Sequence, residues 1–136
     1  MSSKKLYTLG EEISNSITHG IGSLLSIAAL VIMVVVAAIH HNTIGVVTSA
    51  IFGASLIILY TMSTLYHAIS NEKAKKVLKV FDHCTIYLLI AGSYTPFTLV
   101  ALRSINSAKA WVIFSIVWAI AVFGIVMYAF FKNRFK

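Results

Sequence analysis

Seven polar residues stand at the edges of long apolar runs. Glu12, Asn15 and His19 precede the first run, Ser63 and His67 end the second, and Asp82 and His83 precede the third. Glu12, Asn15 and His19 are spaced three and then four residues apart, so on a helix they share one face. Ser63 and His67 are four apart and share a face as well. An ionisable group near membrane depth faces the bundle interior and is a functional candidate by default. Imidazole and carboxylate groups gathered there suit a zinc ion.

Each residue also has a plainer reading. His67 fits an interfacial histidine bonded to a headgroup or a backbone carbonyl. Asp82 fits a cap on the third apolar helix, where a carboxylate meets free N–H groups and the positive end of the helix dipole. His83, next to Asp82, points elsewhere on a helix and reads as a surface residue. His40 and His41 fall in a turn at the other end, about a bilayer away, and read as solvated. Glu11 also reads as solvated, and Cys84 as packing.

These residues need elements to position them, and composition says which kind. Of 136 residues, 59% are hydrophobic and 11% charged, against about 45–50% and about 25% in soluble domains. Mean hydropathy is +0.89. That excludes a disordered chain and argues against an ordinary soluble enzyme. The net charge of +7 lies between apolar runs and forms no nucleic-acid-binding patch. A single cysteine excludes an internal disulfide and a cysteine-only metal site.

Four stretches carry no charge: Gly20–Ile39, Thr43–Tyr66, Cys84–Leu102 and Ala110–Phe131. Each is long enough as a helix to cross a hydrocarbon core of roughly 30 Å. They are apolar all round and do not alternate, so neither surface helices nor barrel strands fit. The expectation is one all-α membrane domain over 1–136, an integral bundle of four transmembrane helices. Lys4 and Lys5 would suit a secretory signal, but the first apolar run starts well after them and is longer than a signal core.

Lysine and arginine placement predicts orientation. Lys4, Lys5, Lys73, Lys75, Lys76, Lys79, Lys132, Arg134 and Lys136 fall on one side of a four-span chain, and Arg103 and Lys109 on the other. Both termini are then expected in the cytoplasm, with the chain in the plasma membrane. The start of span one, the end of span two and the start of span three form one cytoplasmic layer, and the seven polar residues lie in it. Within Ala68–His83 a short amphipathic helix is expected, with Ala74, Val77, Leu78 and Phe81 toward the bilayer and the lysines toward water. Glu11–His19 either lies along the surface or forms the first turns of span one. Gly45, Ser49 and Gly53, at four-residue steps, suit close helix packing. Pro96 predicts a kink, because it frees the Gly92 carbonyl. Trp111 and Tyr128 fit interfacial belts, and Trp118 simple packing.

Three blocks in order are distinctive. Glu12-Ile13-Ser14-Asn15 with Thr18-His19-Gly20 is the first. Ser63-Thr64-Leu65-Tyr66-His67 is the second. Asp82-His83-Cys84-Thr85-Ile86-Tyr87 followed by Ile90-Ala91-Gly92-Ser93-Tyr94-Thr95-Pro96-Phe97 is the third. Together they resemble the bacterial hemolysin III family, within the progestin and adipoQ receptor superfamily. The resemblance implies a seven-helix membrane fold with a cytoplasmic-side zinc site. It implies His67 as a metal ligand, Asp82 as the group contacting the zinc-bound water, and Ser63 close to the metal. Glu12, Asn15 and His19 match the first motif, with a supporting or structural role.

The chain departs from that pattern. It has four spans, and no two of its histidines are four residues apart, so the H-x-x-x-H pair of the family's last span is missing. A catalytic zinc needs about three protein ligands and an open position. The expectation is therefore the N-terminal part of the family fold with an incomplete metal site, or a homo-oligomer in which a second copy supplies ligands. Three functions compete: a zinc-dependent hydrolase of lipid amide or ester bonds, a cytolytic or pore-forming protein, and a non-catalytic membrane protein of lipid homeostasis. Membrane lipids are the expected partners, and nucleic acid is not.

Overall fold

A computed structural model describes residues 7–131. The terminal charges Lys4, Lys5, Lys132, Arg134 and Lys136 lie outside the described residues. Four long helices account for nearly all of the rest: α1 (Leu9–Ile39), α2 (Thr43–Ala68), α3 (Glu72–Pro96) and α4 (Ser107–Phe131). A π-helical segment, Phe97–Leu102, and a single turn, Arg103–Ile105, carry the chain from α3 toward α4. All four long elements are apolar and long enough to cross a membrane. The fold is an all-α membrane bundle.

Local chemistry sets where the helices begin. Thr8 caps α1: its hydroxyl accepts from the Glu11 N–H, and Glu11 Oε1 accepts from the Thr8 N–H. Glu11 is exposed, yet it completes the cap. α1 then runs unbroken into the apolar run, so Glu12, Asn15 and His19 lie on its first turns. Asn42 caps α2, Asn71 caps α3 and Asn106 caps α4 through their side-chain oxygens. The turn between α1 and α2 places His41 in the left-handed region, at φ 55°. His40 Nδ1 meets the Val36 carbonyl at 2.8 Å.

The start of α3 corrects two expectations. No separate amphipathic helix precedes the third span; α3 begins at Glu72 and continues through it. Asp82 is consequently mid-helix and caps nothing; Asn71 does that work. Val77 and Phe81 face outward as expected, whereas Ala74 and Leu78 are half-buried. The π segment begins directly after Pro96, where the missing N–H removes one rung of the α-helical ladder.

Packing is sequential. α1 lies against α2, α2 against α3, and α3 against α4, with the π segment touching α2, α3 and α4. No Cα of α1 comes within 8 Å of one in α3 or α4. The helices form an open row. Its inside is small and polar: Ser26, Thr48, Ser55, Ser63, Thr85, Thr95 and Thr98 are buried. Ser26, Thr48, Ser55, Thr95 and Thr98 satisfy their hydroxyls on their own helix's carbonyls at 2.7–2.8 Å. Large apolar residues such as Leu24, Ile32, Ile120 and Phe123 face outward. This is the arrangement expected where lipid, not water, surrounds the protein.

Gly53 shows why small residues fill the interior. A Cβ there would lie 2.8 Å from Leu30 Cβ on α1. Gly45, one end of the four-residue series, faces Ala37 in the same way, with Cβ to Cβ at 3.2 Å. Trp118 does more than pack: its indole N–H donates to Thr95 Oγ1 at 3.0 Å, joining α4 to α3.

Candidate functional site

The first turns of α1, the last turns of α2 and the first turns of α3 meet at one end of the row. Glu12 is the hub. The His67 Nδ1–H donates to Glu12 Oε1 at 2.9 Å, and the Lys75 ammonium donates to Glu12 Oε2. Lys75 also donates to the Tyr66 carbonyl, and it lies 3.4 Å from the Ile69 carbonyl. Its Nζ stands 4.6 Å from the centroid of the Tyr66 ring, a favourable place for a cation.

His67 is buried, at 7% exposure. Three rings enclose it: Tyr7 with centroids 5.0 Å apart, Tyr66 at 4.9 Å and His19 at 5.9 Å. One turn before His67, Ser63 pairs its hydroxyl with His19 Nδ1. A second α1–α2 hydroxyl pair, Ser23 with Thr61 at 2.9 Å, lies further along the interface. The motif residues Glu12, His19, Ser63 and His67 are thus brought together by side-chain contact. The Asn15 side chain adds no hydrogen bond to this group; the Asn15 backbone carbonyl accepts from the Thr18 hydroxyl.

Asp82 lies on α3 and is largely buried. Its carboxylate comes 3.7 Å from His83 Nδ1. That nitrogen instead meets the Lys79 carbonyl at 2.8 Å. The His83 ring stacks on Tyr128, 5.3 Å between centroids and 1° between planes. His83 is therefore a contact between α3 and α4, where its position beside Asp82 reads as a surface role. Asp82 does not join Glu12 and His67 as a ligand group. Among the described residues, no three His, Cys, Asp or Glu side chains converge on a metal position.

Lys75 is the site residue that sequence reading places wrongly, toward water with the other lysines. The signal was available. Lys75 precedes Asp82 by seven residues, two helical turns, so both lie on one face once α3 is extended back to Glu72. Lys73 and Lys76 fall on the other side and are exposed.

One part of this arrangement fits a metal. A ligating histidine commonly donates its second ring N–H to a carboxylate, which fixes the tautomer. His67 does so to Glu12, and its Nε2 has no hydrogen-bond partner among the described residues. Since no fully buried side-chain nitrogen or oxygen among them lacks a partner, that nitrogen is not sealed off. The donor set as a whole does not fit, because the described residues supply too few ligands.

Comparison with known proteins places the chain. Residues 7–136 match the family model described as "Haemolysin-III related". Hemolysin-3 of Bacillus cereus is 46% identical over 125 residues, covering 92% of this chain and 56% of that protein. The Hemolysin-3 homolog of Bacillus subtilis is 46% identical over 130 residues, covering 96% and 60%. Human monocyte to macrophage differentiation factor is 27% identical over 137 residues, covering 95% of this chain and 54% of that protein. The chain thus spans little more than half the length of these relatives. No solved structure matches. The motif order, the four apolar helices and these similarities agree: the chain belongs to the hemolysin III-related family of membrane proteins.

Proposed function

We propose that this hemolysin III-type protein carries, at the Glu12–His67 end of its bundle, part of a zinc site serving hydrolysis of a lipid amide or ester bond. The observation that carries the reading is the His67 ring: buried, held through Nδ1 by Glu12, with no hydrogen-bond partner for Nε2 among the described residues. Zinc, when bound, would supply a Lewis acid and an acidic water. The chain's own residues have narrower tasks. Glu12 holds the His67 tautomer, Ser63 and His19 brace the ring's neighbourhood, and Asp82, on α3, would serve as a proton acceptor. Further ligands must come from beyond the described residues, whether in the same protein or in a second copy. The lysine-rich end of the bundle lies in the cytoplasm, and the membrane is the plasma membrane.

Zinc per chain on detergent-purified protein, wild type beside His67→Ala, tests this reading, with a fluorogenic lipid amide and ester assayed on the same samples. About one zinc per chain, lost in the variant, together with zinc-dependent hydrolysis, is expected. Absence of zinc from both would overturn the metal reading and leave a non-catalytic role in the membrane, which the short donor set favours. The name hemolysin belongs to the Bacillus relatives. Leakage of dye from reconstituted liposomes would bring lysis to this chain.

A further inference from the structure

Lys75 makes more contacts than charge balance requires. An ammonium has three N–H donors, and three acceptors surround this one: Glu12 Oε2 and the carbonyls of Tyr66 and Ile69. These two carbonyls lie at the end of α2, where the final turn has no intrahelical donors to offer them. A cation there also meets the negative end of the helix dipole. Lys75 therefore caps α2 from α3. With the same ammonium it reaches α1, whose backbone nowhere comes within 8 Å of α3 by Cα distance.

We propose that Lys75 is a positioning residue for His67. It acts at two points. It grips the Tyr66 carbonyl, the backbone group directly before His67, and so fixes the base from which the imidazole projects. It also holds one oxygen of Glu12, which leaves the other aimed at the His67 Nδ1–H. The ring is thereby set in one tautomer, with Nε2 presented. Lys75 touches neither the imidazole nor any reacting atom. The use of Nε2 as a ligand rests on the function proposed above; the setting of the ring does not.

The two are separable by experiment. Protein labelled with 15N-histidine, in micelles at about pH 8 where an ordinary imidazole is neutral, reports the His67 tautomer. The signal is assigned against His67→Gln. The wild type is expected to hold the Nδ1–H form. Lys75→Met is expected to shift His67 toward the Nε2–H form that free imidazole prefers, while His40 and His41 at the far end keep their signals. Lys75→Arg, which keeps charge and donors, is expected to restore the wild-type signal. Glu12→Gln keeps the side chain's size but removes the charge that Lys75 holds. It is expected to shift His67 as Lys75→Met does, and it serves if the latter fails to fold. An unchanged His67 signal in whichever of the two variants folds would overturn the proposal.

Zinc affinity by dye competition is the second readout. A loss of about 10–100-fold in Lys75→Met, the range for removing a group behind a ligand, with recovery in Lys75→Arg, is expected. Equal affinity in wild type and Lys75→Met would overturn the proposal. A wild type that binds no zinc would sink the metal reading, and the tautomer measurement would still decide the role of Lys75.

Discussion

Single polar side chains join neighbouring helices of the bundle. Trp118 is an instance where removal is clean. Its N–H donates to Thr95 Oγ1, and the Thr95 hydroxyl proton is already committed to the Ala91 carbonyl at 2.8 Å. Trp118→Phe therefore removes one interhelical bond and some area without stranding a donor. Hydrogen bonds between membrane helices contribute about 0.6 kcal/mol on average and up to about 1.7 kcal/mol. A destabilisation of about 1–2 kcal/mol is expected in a denaturing-detergent titration, and an unchanged midpoint would show that the bond contributes nothing net. Residue type and spacing make four of the contacting site residues legible in the sequence: Glu12, His19, Ser63 and His67. They do not reveal which groups touch. The Glu12–His67 and His19–Ser63 pairings depend on how α1 is rotated against α2, and Lys75 depends on where α3 starts. Trp118 is misread for the same reason, since its partner lies 23 residues away on another helix.

At the scale of elements, the small residues are the informative ones. Gly53 and Gly20 both face the α1–α2 interface and differ in what a methyl group would meet. At Gly53 it would run into the Leu30 Cβ at 2.8 Å, a backbone-anchored atom that cannot swing away. At Gly20 the nearest atom is Thr64 Cγ2 at 3.7 Å, an ordinary contact. Gly53→Ala is expected to destabilise the bundle by about 1–3 kcal/mol, the usual cost of overpacking. Gly20→Ala is expected to be neutral or to stabilise by up to about 1 kcal/mol, the helix-propensity gain. Leu30→Ala keeps the Leu30 Cβ but removes the Cδ1 that a Cβ at Gly53 would also meet, at 2.5 Å, so combining it with Gly53→Ala, in a double-mutant cycle by detergent unfolding, should recover part of the loss. Equal effects at the two glycines would show that α1 and α2 are free to separate. Helix identity is legible because a run of apolar residues is a local property. Helix ends are less so. α1 begins eleven residues before its uncharged run and α3 twelve before its own, because caps at Thr8 and Asn71 set the starts, and hydropathy is blind to caps.

The whole molecule is an open row with polar chemistry at one end and an apolar exterior along its length. Four crossings return the chain to the side where it began. The Lys73–Lys79 stretch, with the Glu12–His67–Lys75 cluster, then lies on the side of the start of α1 and the end of α4, and the His41 turn and Asn106 lie opposite. On the orientation proposed above, the lysine excess puts the first side in the cytoplasm. It is a strong asymmetry because the spans themselves carry no compensating charge. Labelling with a membrane-impermeant maleimide tests it, in a Cys84→Ser background that removes the native thiol. His41→Cys, exposed in its turn, is expected to react in intact spheroplasts. Lys73→Cys, also exposed and away from the cluster, is expected to react only in inside-out vesicles. The reverse pattern would put the site on the outer face. Labelling of both positions from one side would mean that an even number of crossings, not the single crossing of α2, separates them. That outcome would dissolve the single layer on which α1, α2 and α3 bring Glu12, His67 and Lys75 together.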